Sequence, residues 1–180
     1  MKSRIYFIGG ASASGKSTIA KELSSLYSFP VVELDRFHDI LMPIVHDREQ
    51  LVSATSKIAF EVVRQFVELN GNCIIEGGWI QPSKASKLKE GSRNYFYPVY
   101  CGYPKADVES RYSALKKSGS HWLNSKPGKE ARAFLRTQIN ESESYRQECE
   151  RLRIEFFDFT VFSEGSEALR AHFEKWLRGY

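Results

Sequence analysis

The run Gly10-Ala11-Ser12-Ala13-Ser14-Gly15-Lys16-Ser17, continued by Thr18, sets two glycines five residues apart and follows them at once with a lysine and a serine. A glycine-rich turn of this kind leaves successive backbone N–H groups pointing into one concavity, and a helix beginning there adds unpaired N–H donors and the positive end of its dipole. The chemistry such a cradle performs is the holding of a polyphosphate. In that role Lys16 reaches the β- and γ-phosphate oxygens as a point charge, the Ser17 hydroxyl takes a position on a phosphate-bound Mg²⁺, and Thr18 faces the α-phosphate.

Two carboxylates stand where they could work beside the cradle. Glu76 follows the buried-type run Cys73-Ile74-Ile75 and precedes Gly77-Gly78, which puts an acid at the carboxyl edge of a strand. It can hold a Mg²⁺-bound water or touch an acceptor. Asp35 closes the second apolar run, in Val31-Val32-Glu33-Leu34-Asp35-Arg36-Phe37-His38. A hydroxyl that attacks phosphorus must shed its proton, so an orienting base is useful there, whereas a phosphate acceptor is already ionised and would be repelled unless Arg36 or Arg48 compensated. Asp35 therefore favours an alcohol acceptor, with Phe37, His38, Gly77, Trp79, Ile80 and Gln81 expected on the acceptor side. His38 is read as a second base or as a pocket residue.

The elements that must position these groups alternate between apolar runs and helical periodicities, which predicts a parallel sheet covered on both faces. Strands are expected at about Arg4 to Gly9, Pro30 to Asp35, Asn72 to Gly77, Tyr95 to Cys101 and Ile154 to Phe159. Ile19, Ala20, Leu23, Leu26 and Tyr27 recur at helical spacing after the cradle. Asp47-Arg48-Glu49-Gln50 resembles a capping box, and Leu51, Ile58, Val62, Phe66 and Leu69 then mark one face of a long helix ended by Gly71. A later helix spans about Lys129 to Leu152, with Ala131, Leu135, Ile139, Cys149 and Leu152 near one side. The last helix carries Leu169, Phe173, Trp176 and Leu177. The segment from Lys117 to Gly128 is rich in turn residues and reads as a mobile loop. Lys116, Lys117, Lys126, Lys129, Arg132 and Arg136 gather positive charge around it, which suits a lid over phosphates, and Trp122 beside His121 is a candidate stacking surface for a base.

The arrangement resembles the P-loop kinases of small molecules and nucleoside monophosphates, with the adenylate-kinase-like fold. The resemblance covers essentially the whole chain and rests on the Gly10 to Thr18 motif, on Glu76-Gly77-Gly78, and on Tyr103-Pro104 with Arg111 seven residues beyond the proline. It implies an α/β three-layer fold, a five-stranded parallel sheet in the order 2-3-1-4-5, with ATP and Mg²⁺ as phosphoryl donor. It also implies one domain over 1–180, an arginine-bearing lid at about 116–130 and an acceptor-binding insertion at about 36–70. Arg111 matches the family's arginine at the nucleotide, and Lys16, Asp35, Arg111 and Arg136 are the expected catalytic set. Leu115 stands where adenylate kinases carry a second arginine. Asp35 and His38 also resemble the Asp-x-x-His arrangement that opens the gluconate-kinase acceptor site. Adenine is expected near Phe159, Thr160 and Val161.

Composition narrows the alternatives. Lys+Arg 26 against Asp+Glu 22 gives +4, a mild excess suited to small anions and weaker than a dedicated nucleic-acid binder shows. Cys73, Cys101 and Cys149 have no metal or disulfide spacing and read as core thiols. No apolar run approaches the length of a membrane span. These features predict a cytoplasmic protein, monomer or homodimer, whose partners are a nucleotide and a small-molecule acceptor. A GTPase would show an Asn-Lys-x-Asp motif, which is missing, and an AAA+ motor would need a helical second domain. A nucleoside monophosphate kinase is the runner-up. A polynucleotide 5′-kinase would use Lys84, Lys87, Lys89 and Arg93, and a regulatory protein could bind nucleotide without an acceptor.

Overall fold

The computed structural model describes residues 4–91, 96–119 and 121–179, so the expected strand residue Tyr95 and the basic residue Arg93 lie outside the described part. The chain runs β1 (Arg4–Gly10), α1 (Lys16–Tyr27), β2 (Val31–Glu33), α2 (Leu34–Leu41), α3 (Arg48–Glu68), β3 (Asn72–Glu76) and α4 (Pro82–Gly91). It continues with β4 (Phe96–Gly102), α5 (Val108–Ser118), a 3-10 turn (Trp122–Ser125), α6 (Gly128–Leu152), β5 (Glu155–Asp158) and α7 (Phe162–Arg178).

All five strands are parallel, in the order β2-β3-β1-β4-β5. Alternation along β1 sorts the core. Ile5 and Phe7 face α3, α4 and α6 through Ala59, Val63, Ala85, Tyr145 and Cys149. Tyr6 and Ile8 face α1 and α7 through Ile19, Leu23, Leu169 and Phe173. A period of two in a strand with both faces covered reads as an unbroken apolar run, which is why β1 looks uniformly hydrophobic in sequence. The register brings Glu33 and Glu76 side by side on β2 and β3, and Gly10 beside Cys101 on β1 and β4. Both pairs lie at the carboxyl edge, where the glycine-bearing turn leaves the sheet. The three cysteines are free and buried, as expected.

Several local expectations are corrected. The second strand ends at Glu33, and Leu34 through Leu41 form a helix, because Leu34 turns its fully buried side chain into the core while the following residues wind along α3. Asp35 therefore sits in the first turn of α2 and not on a strand end. In α3 the Asp47 carboxylate caps the Gln50 N–H at 2.8 Å, a contact worth about 1 kcal/mol. The helix stops one residue earlier than read: Asn70 takes the left-handed turn and the Gly71 N–H closes onto the Phe66 carbonyl at 2.8 Å. That stop leaves Leu69 outside the helix and 80% exposed, and Leu26 of α1 is likewise on the solvent side. In α6 the buried face is Ala131, Leu135, Gln138, Ser142, Tyr145 and Cys149, so two polar residues occupy a stripe that the apolar pattern assigned to Ile139.

Candidate active site

The turn after β1 closes into a cradle only because its glycines accept backbone angles denied to other residues. Gly10 has φ +119°, and a side chain there would overlap the Cys101 carbonyl of the neighbouring strand. Gly15, at φ +104°, ends the turn and opens α1 against the ring of Phe162. The carbonyls on the outside of the turn are all held. Lys16 Nζ donates to the Ala11 carbonyl at 2.7 Å, the Tyr103 hydroxyl to that of Ser12 at 2.8 Å, and Arg111 Nη2 to that of Ala13. The Ser12 N–H donates in turn to Gln138 Oε1 at 2.6 Å, and Ser142 Oγ accepts from the Tyr103 N–H at 3.1 Å. Thus α6 grips both the turn and the end of β4, which explains why Gln138 and Ser142 are buried where leucine-like residues were expected.

Lys16 is 6% exposed and already hydrogen-bonded to the turn. Glu76 is 1% exposed, which removes a solvent-facing role for it. Its Oε1 accepts from the Ser17 hydroxyl at 2.9 Å, while Oε2 is buried without a partner. Burial raises the Glu76 carboxyl above the usual carboxylate range, Asp35 and Glu33 add to this, and Lys16 and the Ser17 bond oppose it. A buried carboxylate oxygen with nothing to bind, joined to a serine at the first turn of a phosphate-binding helix, fits a Mg²⁺ site of the phosphate-bound kind. Among the described residues no cluster of three or more His, Cys, Asp or Glu exists, so the phosphates would supply much of such an ion's coordination.

A cavity of about 830 Å³ opens from the cradle. Its walls include Ser12, Ala13, Gly15, Lys16, Ser17 and Thr18 from the turn, Glu33, Asp35 and Arg36 from the β2–α2 junction, Arg111 from α5, and His121, Trp122 and Phe162 at the rim. Gly10, Ala11 and Ser14 shape the turn from beneath it; Ser14 is fully buried, with its hydroxyl 3.5 Å from Cys101 Sγ. Arg111 lies over the Tyr103 ring at 4.4 Å, and burial lowers its pKa without neutralising a guanidinium. Burial also lowers the pKa of His121, which keeps that ring neutral beside the arginine. Phe159 is buried in the core, and of the segment after β5 it is Phe162 that reaches the cavity. Arg136 is exposed on α6 and does not line the cavity.

On the acceptor side Trp79 Nε1 donates to Asp35 Oδ1 at 2.6 Å, and its ring stacks on His38 with centroids 3.9 Å apart. Trp79, His38, Phe37, Glu76 and Gly77 do not themselves line the cavity, although Glu76 touches it through Ser17. The segment read as a mobile loop carries the 3-10 turn, pinned by buried Leu123, by Asn124 Nδ2 to the Leu115 carbonyl at 3.2 Å, and by Lys116 Nζ to the Asn124 carbonyl at 3.0 Å. Lys84 and Lys87 line a separate groove of about 530 Å³ between α3 and α4, which shares no residue with the cradle cavity.

A family model described as an AAA domain matches residues 5–122, more than half of the chain. The chain belongs to that family. The match spans the module from β1 to the start of the 3-10 turn. Among solved structures, the chain is similar to a sugar kinase from Janibacter sp. HTCC2649 (TM-score 0.65, 17% identity, 98% of this chain and 95% of that one). It is also similar to a shikimate kinase from Bacteroides thetaiotaomicron (0.59, 15%, 95% and 98%) and a gluconokinase from Sinorhizobium meliloti 1021 (0.58, 17%, 99% and 98%). These likenesses show the P-loop kinase fold, with its 2-3-1-4-5 sheet and helices on both faces. No curated protein matches the chain in sequence. No helix among the described residues is long and apolar enough to cross a membrane.

Proposed function

We propose that the protein is an ATP-dependent kinase that transfers the γ-phosphoryl group to a hydroxyl of a small molecule such as a nucleoside, a sugar or a similar metabolite. The observation that carries this reading is Asp35, an exposed carboxylate on the wall of the cavity that also holds Lys16 and Ser17. Arg36, the cation beside it in the chain, is taken by Glu33 at 2.9 Å, which also receives Lys21 at 3.1 Å. A phosphorylated acceptor would therefore meet a negative charge that the neighbouring Arg36 shares with Glu33, while an alcohol would meet a base.

In this reading the turn N–H groups and Lys16 bind the polyphosphate, and Lys16 exchanges the Ala11 carbonyl for phosphate oxygen. Mg²⁺, held by Ser17 and through water by Glu76, would neutralise charge on the β- and γ-phosphates. Asp35 takes the acceptor's proton as the new O–P bond forms and the bond from the γ-phosphorus to the β–γ bridging oxygen breaks, leaving ADP. Arg111 sits at the donor end, with Trp122 and Phe162 offering rim surface to a base. The 116–130 segment serves as a lid, and α2 with α3 forms the acceptor side.

A screen of alcohols and nucleoside monophosphates with labelled ATP tests the acceptor class, and Asp35→Asn tests the chemistry. Asp35→Asn is expected to lower kcat by roughly 10²–10⁴ with ATP affinity retained. A kcat within about tenfold of wild type, with a monophosphate as substrate, would overturn the alcohol reading in favour of a nucleoside monophosphate kinase.

A further inference from the structure

A carboxylate in the exposed first turn of a helix ordinarily samples several rotamers, and a base that wanders loses most of its value, because proton transfer needs hydrogen-bond geometry. Asp35 is held. The indole N–H of Trp79 meets Oδ1 at 2.6 Å, and the face of the same indole lies on His38, one turn further along α2, with the planes 14° apart. Trp79 is itself fixed from a third element, since Ser56 of α3, 3% exposed, donates its hydroxyl to the Trp79 carbonyl at 2.8 Å. The link from Glu76 to Trp79 passes through Gly77, at φ +150°, where a side chain would press on Leu34 at the start of α2. One short segment thus carries the buried acid beside Ser17 and the clamp on Asp35.

We propose that Trp79 is a positioning residue: its indole N–H holds Asp35 Oδ1 so that Oδ2 is presented to the acceptor hydroxyl. The role rests on the reading of Asp35 as the base. As the acceptor oxygen bonds to the γ-phosphorus of ATP and the bond from that phosphorus to the β–γ bridging oxygen breaks, releasing ADP, the acceptor's proton passes to Oδ2, and Trp79 keeps its own proton throughout. Trp79 does not line the cavity and acts only through Asp35.

The test is a double-mutant cycle on the full chain with the acceptor found by the screen, reading kcat, both KM values and melting temperature. Trp79→Phe keeps a ring against His38 and removes the N–H; kcat is expected to fall about tenfold to a hundredfold, with KM for ATP unchanged. In the Asp35→Asn background the same change is expected to lower kcat no further, because there is no carboxylate left to orient. Equal losses in both backgrounds would mean a structural role and overturn the proposal. An Asp35→Asn enzyme that collapses beside a fully active Trp79→Phe enzyme would overturn it alone, whereas a near-wild-type Asp35→Asn enzyme would overturn the base and this role together. Should Trp79→Phe fail to fold, Ser56→Ala carries the test through the carbonyl anchor. A fall in kcat of about threefold or more at unchanged ATP affinity supports the role, and unchanged kcat overturns it.

Discussion

The donor and acceptor sides of the cavity are built on different principles. On the donor side the ligand-facing groups are largely backbone, and each carbonyl of Ala11, Ser12 and Ala13 is tied to a side chain from α1, β4's end or α5, with α6 holding the Ser12 N–H. On the proposed acceptor side the group assigned the chemistry is one exposed side chain, Asp35, fixed by one indole, and beyond it the end of α2 and the turn that follows expose Ile40, Met42 and Ile44. A cradle made of main chain must be rigid, since its N–H groups cannot be re-aimed one at a time. A pocket made of side chains can be rebuilt residue by residue for a new acceptor while the sheet stays as it is.

Of the changes on the donor side, loss of Lys16 should remove the most activity. Lys16→Ala deletes a charge that the phosphates require, and kcat is expected to fall by roughly 10²–10³. It also frees the Ala11 carbonyl, so circular dichroism should be read beside the kinetics; an enzyme with wild-type turnover and ATP affinity would show that the cradle does not bind the donor. A milder probe is Gln138→Leu, which leaves the Ser12 N–H without its acceptor. Titration calorimetry should show ATP affinity weakened about tenfold, with acceptor KM unmoved. Equal losses on both sides would erase the distinction between a backbone cradle and a side-chain pocket.

The smallest expected effect concerns stability. Burial holds the Glu76 carboxyl above its ordinary range, so between the unfolded and the raised folded value the folded chain binds a proton that the unfolded chain does not. Stability of the ligand-free protein should therefore fall as pH rises through that window, and level off once Glu76 is ionised in both states. Glu76→Gln removes the buried charge and is expected to raise Tm by about 2–4 °C at neutral pH and to flatten this part of the pH profile. Thermal melts across pH check all of this, and an unchanged profile would mean that the acid is not strained in the free protein.

The chain's own order of residues was enough for the cradle, because Gly10, Gly15, Lys16 and Ser17 are neighbours whose function follows from local backbone geometry. It was enough also for the parallel sheet, since strands buried on both faces leave apolar runs and the helices between them leave 3.6-residue stripes. Contacts between distant parts of the chain left no such mark. Gln138 reaches Ser12, Tyr103 and Arg111 close on the same turn, and Phe162 arrives at the rim three residues past the core aromatic Phe159. Polar residues at 138 and 142 broke an apolar stripe because the face they sit on meets backbone N–H groups and not methyl groups. Asp35 was legible as a residue at the right strand's end, yet its place in a helix, and its bond to an indole 44 positions away, were decided by the packing of Leu34 into the core and of α2 along α3. Local spacing determines backbone-built chemistry; the aim of a side chain depends on which distant segment arrives beside it, and only the folded structure supplies that.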